Sequence, residues 1–207
     1  MRSFIKICGV RTVEDALACV GADAVGFNLY GRSKRYVTPE AARIIVAALP
    51  ITLRRFAVLV NASDEEVAAA ATFADTLQLH GDETPQRQAE LQARYPRLTV
   101  MKAVRLKGSL DLAALDAYSG LLLVDADSPD YGGSGVRADV ELARSLAQRR
   151  PILLAGGLDP DNVAEAVRAV RPAGVDVAGG VESSPGSKDH TRISAFITRA
   201  RAVFLED

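Results

Sequence analysis

PILLAGGLDPDNVAEAVRAVRPAGVDVAGG, residues 151–180, holds one complete structural unit. The apolar run PILLA (151–155) reads as a buried strand, and a glycine pair ends it. Asp159-Pro160 is the chemistry of a helix start, and PDNVAEAVRAV continues at helical spacing. GVDVAG (174–179) then returns to the period of two. Strand, glycine turn, helix, strand is a crossover unit, the building block of a parallel sheet.

The same alternation runs outward to the start of the chain. Further strands are expected at FIKIC (4–8), DAVGFN (23–28), RFAVLV (55–60), TLQLH (76–80), TVMKAV (99–104) and LLLVD (121–125). Helical stretches such as VEDALACV, PEAARIIVAAL, DEEVAAAATF, PQRQAELQARY and DVELARSLAQ lie between them. Thr12, Thr38-Pro39, Ser63-Asp64-Glu65-Glu66 and Thr84-Pro85 mark further helix starts. Eight strand-helix repeats, roughly two dozen residues each, predict a closed α/β architecture, the (β/α)8 or TIM barrel. An open doubly wound sheet is the alternative, but it would leave two long apolar edges to cover. At 207 residues the barrel is expected to occupy residues 1–207 as a single domain with few insertions.

Composition narrows the function classes. The formal net charge is -1 with both signs interspersed, which argues against nucleic acid and anionic membranes as partners. No apolar run is long enough to span a bilayer, and MRSFIKICG lacks the features of a signal peptide, so a soluble cytoplasmic protein is expected. Cys8 and Cys19 have neither disulfide nor metal-ligand spacing, and no metal site is expected.

Strand parity sharpens the reading. Phe4, Lys6 and Cys8 share one face, as do Gln78 and His80; Lys102, Asp125 and Asp176 each stand opposite apolar neighbours. The face toward the helices must be apolar, so this polar set is expected to point into the barrel. Lys6, Lys102 and Asp176 read equally well as a satisfied internal ion-pair network. Cys8 and Asp125 occupy the last positions of their strands, at the mouth where barrel active sites lie. Taken alone, a free thiol is most often a small buried hydrophobe.

Gly156, Gly157, Gly179 and Gly180, in AGGLDPDNV and AGGVESSPGSKDH, follow strands seven and eight, where barrels often hold phosphate on backbone amides. Tight turns explain each pair about as well. The loop YGRSKRYVTPE after strand two carries Arg32, Lys34 and Arg35, suited to a second anionic group or simply solvated. DADSPDYGGSG, after strand six, has the length and glycine content of a lid.

With these residues in place, the sequence resembles the phosphoribosylanthranilate isomerases of tryptophan biosynthesis over nearly its whole length. The resemblance rests on KICG (6–9), DAVGF (23–27), SKRYVTPE (33–40), QLHGDE (78–83), the Asp125 strand with PDYGGSG (129–135), AGGLDPDNV (155–163) and GVESSPGSKD (180–189). It implies a cofactor-free Amadori rearrangement of N-(5-phosphoribosyl)anthranilate, a phosphorylated small-molecule substrate, by a monomer or homodimer. It assigns Cys8 as general base, Asp125 as general acid, Arg35 to the anthranilate carboxylate, and the loops after strands seven and eight to the phosphate.

The chemistry suits those residue types. Opening the ribose needs an acid at the ring oxygen, and the resulting iminium makes the C2 proton acidic enough for a thiolate whose pKa nearby positive charge has lowered. Lys6, two residues earlier, or the cationic substrate supplies that charge. His80 reads as a strand-end residue that holds loops or hydrogen-bonds near the mouth, and Cys19 as helix packing. Two departures from the family pattern stand out. AGGVE lacks the serines common before the glycine of that loop, and NLYGRSKRY lacks the usual proline. The sister isomerase of histidine biosynthesis is the nearest rival, but those barrels pair two aspartates where this chain offers Cys8. A silent metabolite-binding barrel would need neither Cys8 nor Asp125, and an indole-glycerol-phosphate synthase would need a lysine-rich set that is not found.

Overall fold

A computed structural model describes residues 3–106, 112–125 and 136–206. Eight parallel strands close into a barrel in sequence order: β1 (Phe4–Cys8), β2 (Ala24–Asn28), β3 (Arg54–Leu59), β4 (Thr76–Leu79), β5 (Thr99–Arg105), β6 (Leu122–Asp125), β7 (Ile152–Ala155) and β8 (Gly174–Val177). The ring is sealed by β1 lying beside β8, with Lys6 in register with Asp176. Helices α1 (Val13–Ala18), α2 (Pro39–Ala47), α3 (Asp64–Ala71), α4 (Pro85–Arg94), α5 (Leu112–Leu115), α6 (Val136–Arg149), α7 (Val163–Val170) and α8 (His190–Phe204) follow the strands. A 3-10 turn at Gly179–Val181 and a small hairpin, β9 (Glu182–Ser184) with β10 (Ser187–Lys188), fill the connection from β8 to α8. The segment 126–135, expected to act as a lid, lies outside the described residues.

Local chemistry explains where most helices begin. Thr12, Thr38 and Thr84 accept the backbone N–H three residues on, and Ser63 with Glu66 forms a reciprocal capping box. Asp159 opens the turn that leads into α7, and its carbonyl accepts the Val163 amide at 3.1 Å. Its carboxylate accepts the amides of Asp161 and Asn162, as a helix-capping residue does, and the regular helix runs from Val163.

The main apolar core lies between sheet and helices, built from residues such as Ile5, Ile7, Val25, Phe27, Leu77, Leu79, Val175 and Val177. A smaller core fills the barrel: Ala24, Phe56, Met101, Ala103, Leu123, Leu153 and Ala155, with Phe4 against it. Met101 and Ala103 therefore face inward, which turns Lys102 toward the helix side and corrects the expectation that it joins the axial polar set. Lys102 is tolerated there because its ammonium donates to the Leu79 and Gly81 carbonyls and pairs with Glu83 at 3.1 Å.

Lys6, Gln78 and Asp176 do enter the interior, and all three are buried. The Lys6 ammonium, fully enclosed, is 2.8 Å from the Asp176 carboxylate and 5.3 Å from the centre of the Phe56 ring. Burial alone would discharge this lysine, but Asp176 and the Cys8 sulfur together outweigh it and hold the ammonium above its ordinary pKa. Removing one partner strands a charge in the barrel. Asp176→Asn is expected to cost about 3–5 kcal/mol in urea unfolding, and Lys6→Met combined with Asp176→Leu to recover most of that loss. Equal destabilisation in the single and double variants would contradict this account.

Candidate active site

The site is built from strand ends. Cys8 closes β1 on the interior face, directly above Lys6. Both press on Gly26 of β2, where a Cβ would lie 2.8 Å from the Cys8 sulfur and 3.1 Å from the Lys6 nitrogen. Only a residue without a side chain leaves room for this pair. The Lys6 ammonium hydrogen-bonds the thiol and draws it toward ionisation, yet burial dominates and the thiol stays above its ordinary pKa. In the resting protein Cys8 is a protonated thiol beside a preformed cation.

Asp125 closes β6, also on the interior face and with its side chain about a quarter exposed (23%). Its Oδ2 lies 3.8 Å from Nε2 of His80, whose Nδ1 is 3.1 Å from the Gln78 side-chain nitrogen. The backbone N–H of His80 donates to the Leu59 carbonyl at 2.7 Å. Behind the histidine, Glu83 accepts the amides of Asn61 and Gly81 along with the Lys102 ammonium, and Tyr118 donates to the Glu83 carbonyl. Lys102 and Glu83 thus tie the loops around β3, β4 and β5 into one frame, a role that strand parity does not suggest for either.

Arg35 folds back across Gly9 toward Gly179, where a Cβ would meet its Nη2 at 3.3 Å. Its Nε and Nη2 grip Glu182 in a bidentate pair at 2.6 and 2.8 Å. Lys188 donates to the same carboxylate at 2.9 Å and to the Ala178 carbonyl. Burial pushes the Glu182 carboxyl up, but the hydrogen bonds from Arg35 and Lys188 prevail and hold it below the usual carboxylate range. Glu182 is absent from the residues that the sequence singles out, although an acid inside GVESSPG facing the cationic SKRY loop was the available signal. Arg32 and Lys34 are exposed.

Gly156 and Gly157 both take positive φ, 89° and 60°, at the end of β7. Gly180 packs so closely on the Leu158 carbonyl that any Cβ would overlap it. The two glycine-rich loops are therefore in direct contact, and Gly180 is the residue that lets them meet. Cys19 lies apart, buried at the end of α1, its thiol donating to the Asp15 carbonyl and pushed up to about 12 by burial.

Across the mouth from these glycines opens a cavity of about 860 Å³, lined by Asn28, Tyr30, His80, Arg105 and Tyr118 among others. Arg105, the last residue of β5, is in register with Asp125. The arrangement offers an acid and a base from distant strands, a glycine-lined shelf on one side and a roomy recess on the other. That suits acid-base chemistry on an elongated ligand.

Comparison with known proteins agrees with this geometry. Residues 5–199 match the family described as N-(5'phosphoribosyl)anthranilate (PRA) isomerase. The N-(5'-phosphoribosyl)anthranilate isomerase of Geobacter sulfurreducens is 44% identical over 203 residues, covering 95% of this chain and 98% of that protein. The crystal structure of the Thermotoga maritima phosphoribosyl anthranilate isomerase superposes with a TM-score of 0.84 at 42% identity, covering 97% of this chain and 99% of that one. A phosphoribosyl anthranilate isomerase in complex with reduced 1-(o-carboxyphenylamino)-1-deoxyribulose 5-phosphate gives 0.83 at 39% identity, covering 97% and 99%.

The thiol microenvironment is directly measurable. Thiolate ultraviolet absorbance is expected to appear only above the ordinary thiol range in the free protein. In Lys6→Met it should appear at still higher pH, because that ammonium is the strongest influence favouring the thiolate. An unchanged titration in that variant would separate Lys6 from Cys8.

Proposed function

From the premise that the chain belongs to the phosphoribosylanthranilate isomerase family, we infer that Cys8 and Asp125 carry that family's reaction at this mouth. The protein is an isomerase of tryptophan biosynthesis. It converts N-(5-phosphoribosyl)anthranilate to 1-(2-carboxyphenylamino)-1-deoxyribulose 5-phosphate, an aldose-to-ketose Amadori rearrangement. The observation that carries the residue assignment is the placement of Cys8 and Asp125 on the interior face at the carboxyl ends of β1 and β6, each with a polar partner at its side.

In this reading Asp125 delivers its proton to the ribose ring oxygen as the bond from C1 to that oxygen breaks. The anthranilate nitrogen supplies the electron pair that forms the iminium. The new positive charge adds to that of Lys6 and favours the thiolate form of Cys8, the thiol proton passing to solvent water at the mouth. The thiolate then removes the C2 hydrogen, and the electrons of that bond pass through C1 to nitrogen, giving the enolamine. The Asp125 carboxylate then takes the 2-hydroxyl proton while the Cys8 thiol gives its proton to C1, which yields the ketone, restores Asp125 as the acid and leaves Cys8 as the thiolate. No covalent bond to sulfur is required.

The phosphate is assigned to the shelf formed by Gly156, Gly157, Gly179 and Gly180, where backbone can approach an anion closely. The aromatic end then points into the recess lined by Tyr30 and His80. Arg35 meets the anthranilate carboxylate with the edge of its guanidinium that Glu182 leaves open. Two free thiols suit a reducing cytosol, where we place the enzyme.

Decay of phosphoribosylanthranilate fluorescence with purified protein tests the reading. Cys8→Ala and Asp125→Asn should each lower kcat by about 100-fold or more with the fold retained by circular dichroism. Arg35→Ala should raise KM by about tenfold and leave kcat within a few-fold. Near-normal turnover in Cys8→Ala would overturn the assignment of the base.

A further inference from the structure

Gln78 and His80 are not used by the mechanism above, yet they stand beside its acid. Gln78 is completely buried inside the barrel, and its side-chain oxygen has no hydrogen-bond partner among the described residues. A buried acceptor left alone costs the hydration it gave up. Turning the amide over would leave its nitrogen, with two donors, unpaired instead of one oxygen, so the observed orientation is the cheaper one. In that orientation the amide N–H donates to Nδ1 of His80 at 3.1 Å. A ring nitrogen that accepts carries no proton, so the neutral imidazole bears its hydrogen on Nε2, the atom 3.8 Å from Oδ2 of Asp125. Closing by about 1 Å once Asp125 has given up its proton makes this a charge-assisted hydrogen bond, and such bonds are commonly long in unliganded sites.

We infer that His80, with its tautomer fixed by Gln78, is the positioning residue for Asp125: it holds Oδ2 and leaves Oδ1 to face the reacting sugar. This rests on the reading of Asp125 as the acid. The chemical gain comes as the proton leaves, because negative charge then develops on a carboxylate that already has a donor in place. The frame around His80 supports the role. Its backbone is bound to β3, and the Glu83–Lys102 pair anchors the loop that follows. The titratable and charged groups that share the cavity with His80 are Tyr30, Asp82, Lys102, Arg105 and Tyr118. Lys102 is committed to Glu83 and two carbonyls, and no ion pair links Arg105 to Asp125 among the described residues.

The test is a double-mutant cycle on the intact enzyme. His80→Phe should lower kcat about 10- to 100-fold with KM within about twofold, the scale of a hydrogen bond to a charged group. His80→Gln, whose side-chain amide reaches the position of Nε2, should restore most of the loss. In the Asp125→Asn background, His80→Phe should cost nothing further, since the two act as one unit. Independent, multiplicative losses in the cycle, or failure of His80→Gln to exceed His80→Phe, would overturn the positioning role. If His80→Phe is harmless while Asp125→Asn is inactive, this inference fails and the acid assignment stands. If Asp125→Asn is itself near normal, the underlying reading fails.

Discussion

The buried ammonium of Lys6 constrains the rest of the molecule. A lysine with no access to solvent is tolerable only if a carboxylate meets it, and Asp176 does so from the last strand of the ring. The pair fixes the register of β1 against β8, the seam of the barrel. Lys6 must also share its space with the thiol one step above, which leaves no volume for a side chain at Gly26. Strand closure, electrostatics and the chemistry of Cys8 thus depend on one charged atom in a dry interior.

The mouth divides into two regions of different character. On the side of β1, β7 and β8, charge is densely compensated: Glu182 is held by both Arg35 and Lys188, and glycine backbones touch each other. On the side of β2 to β5 the walls stand back and leave the 860 Å³ recess, braced from behind by Lys102 and Glu83.

How much of this was legible in the sequence follows from the range of each interaction. Period and glycine position are local, so eight strands, their order and the two glycine shelves can be read directly, as can Lys6, Cys8, Gln78, Asp125 and Asp176 on the inner face. Lys102 escapes strand parity because the rule that the helix side must be apolar holds only until a buried carboxylate is available. Glu83 supplies one from a loop, and no local pattern announces that. Arg35 belongs at the rim in sequence and structure alike, but its grip on Glu182 spans 147 residues and exists only once the barrel is closed.

The seam carries a consequence for how the protein comes into being. Lys6 leaves the ribosome well before its counter-ion, which lies 170 residues later. Until Asp176 is available, a growing chain has strong reason to keep that ammonium in water, and the first strand cannot settle into the place it finally occupies. Docking of the eighth strand therefore does two things at once: it completes the cylinder and it installs the cation beneath the sulfur. A chain halted short of that strand would lack both the closed ring and the buried cation.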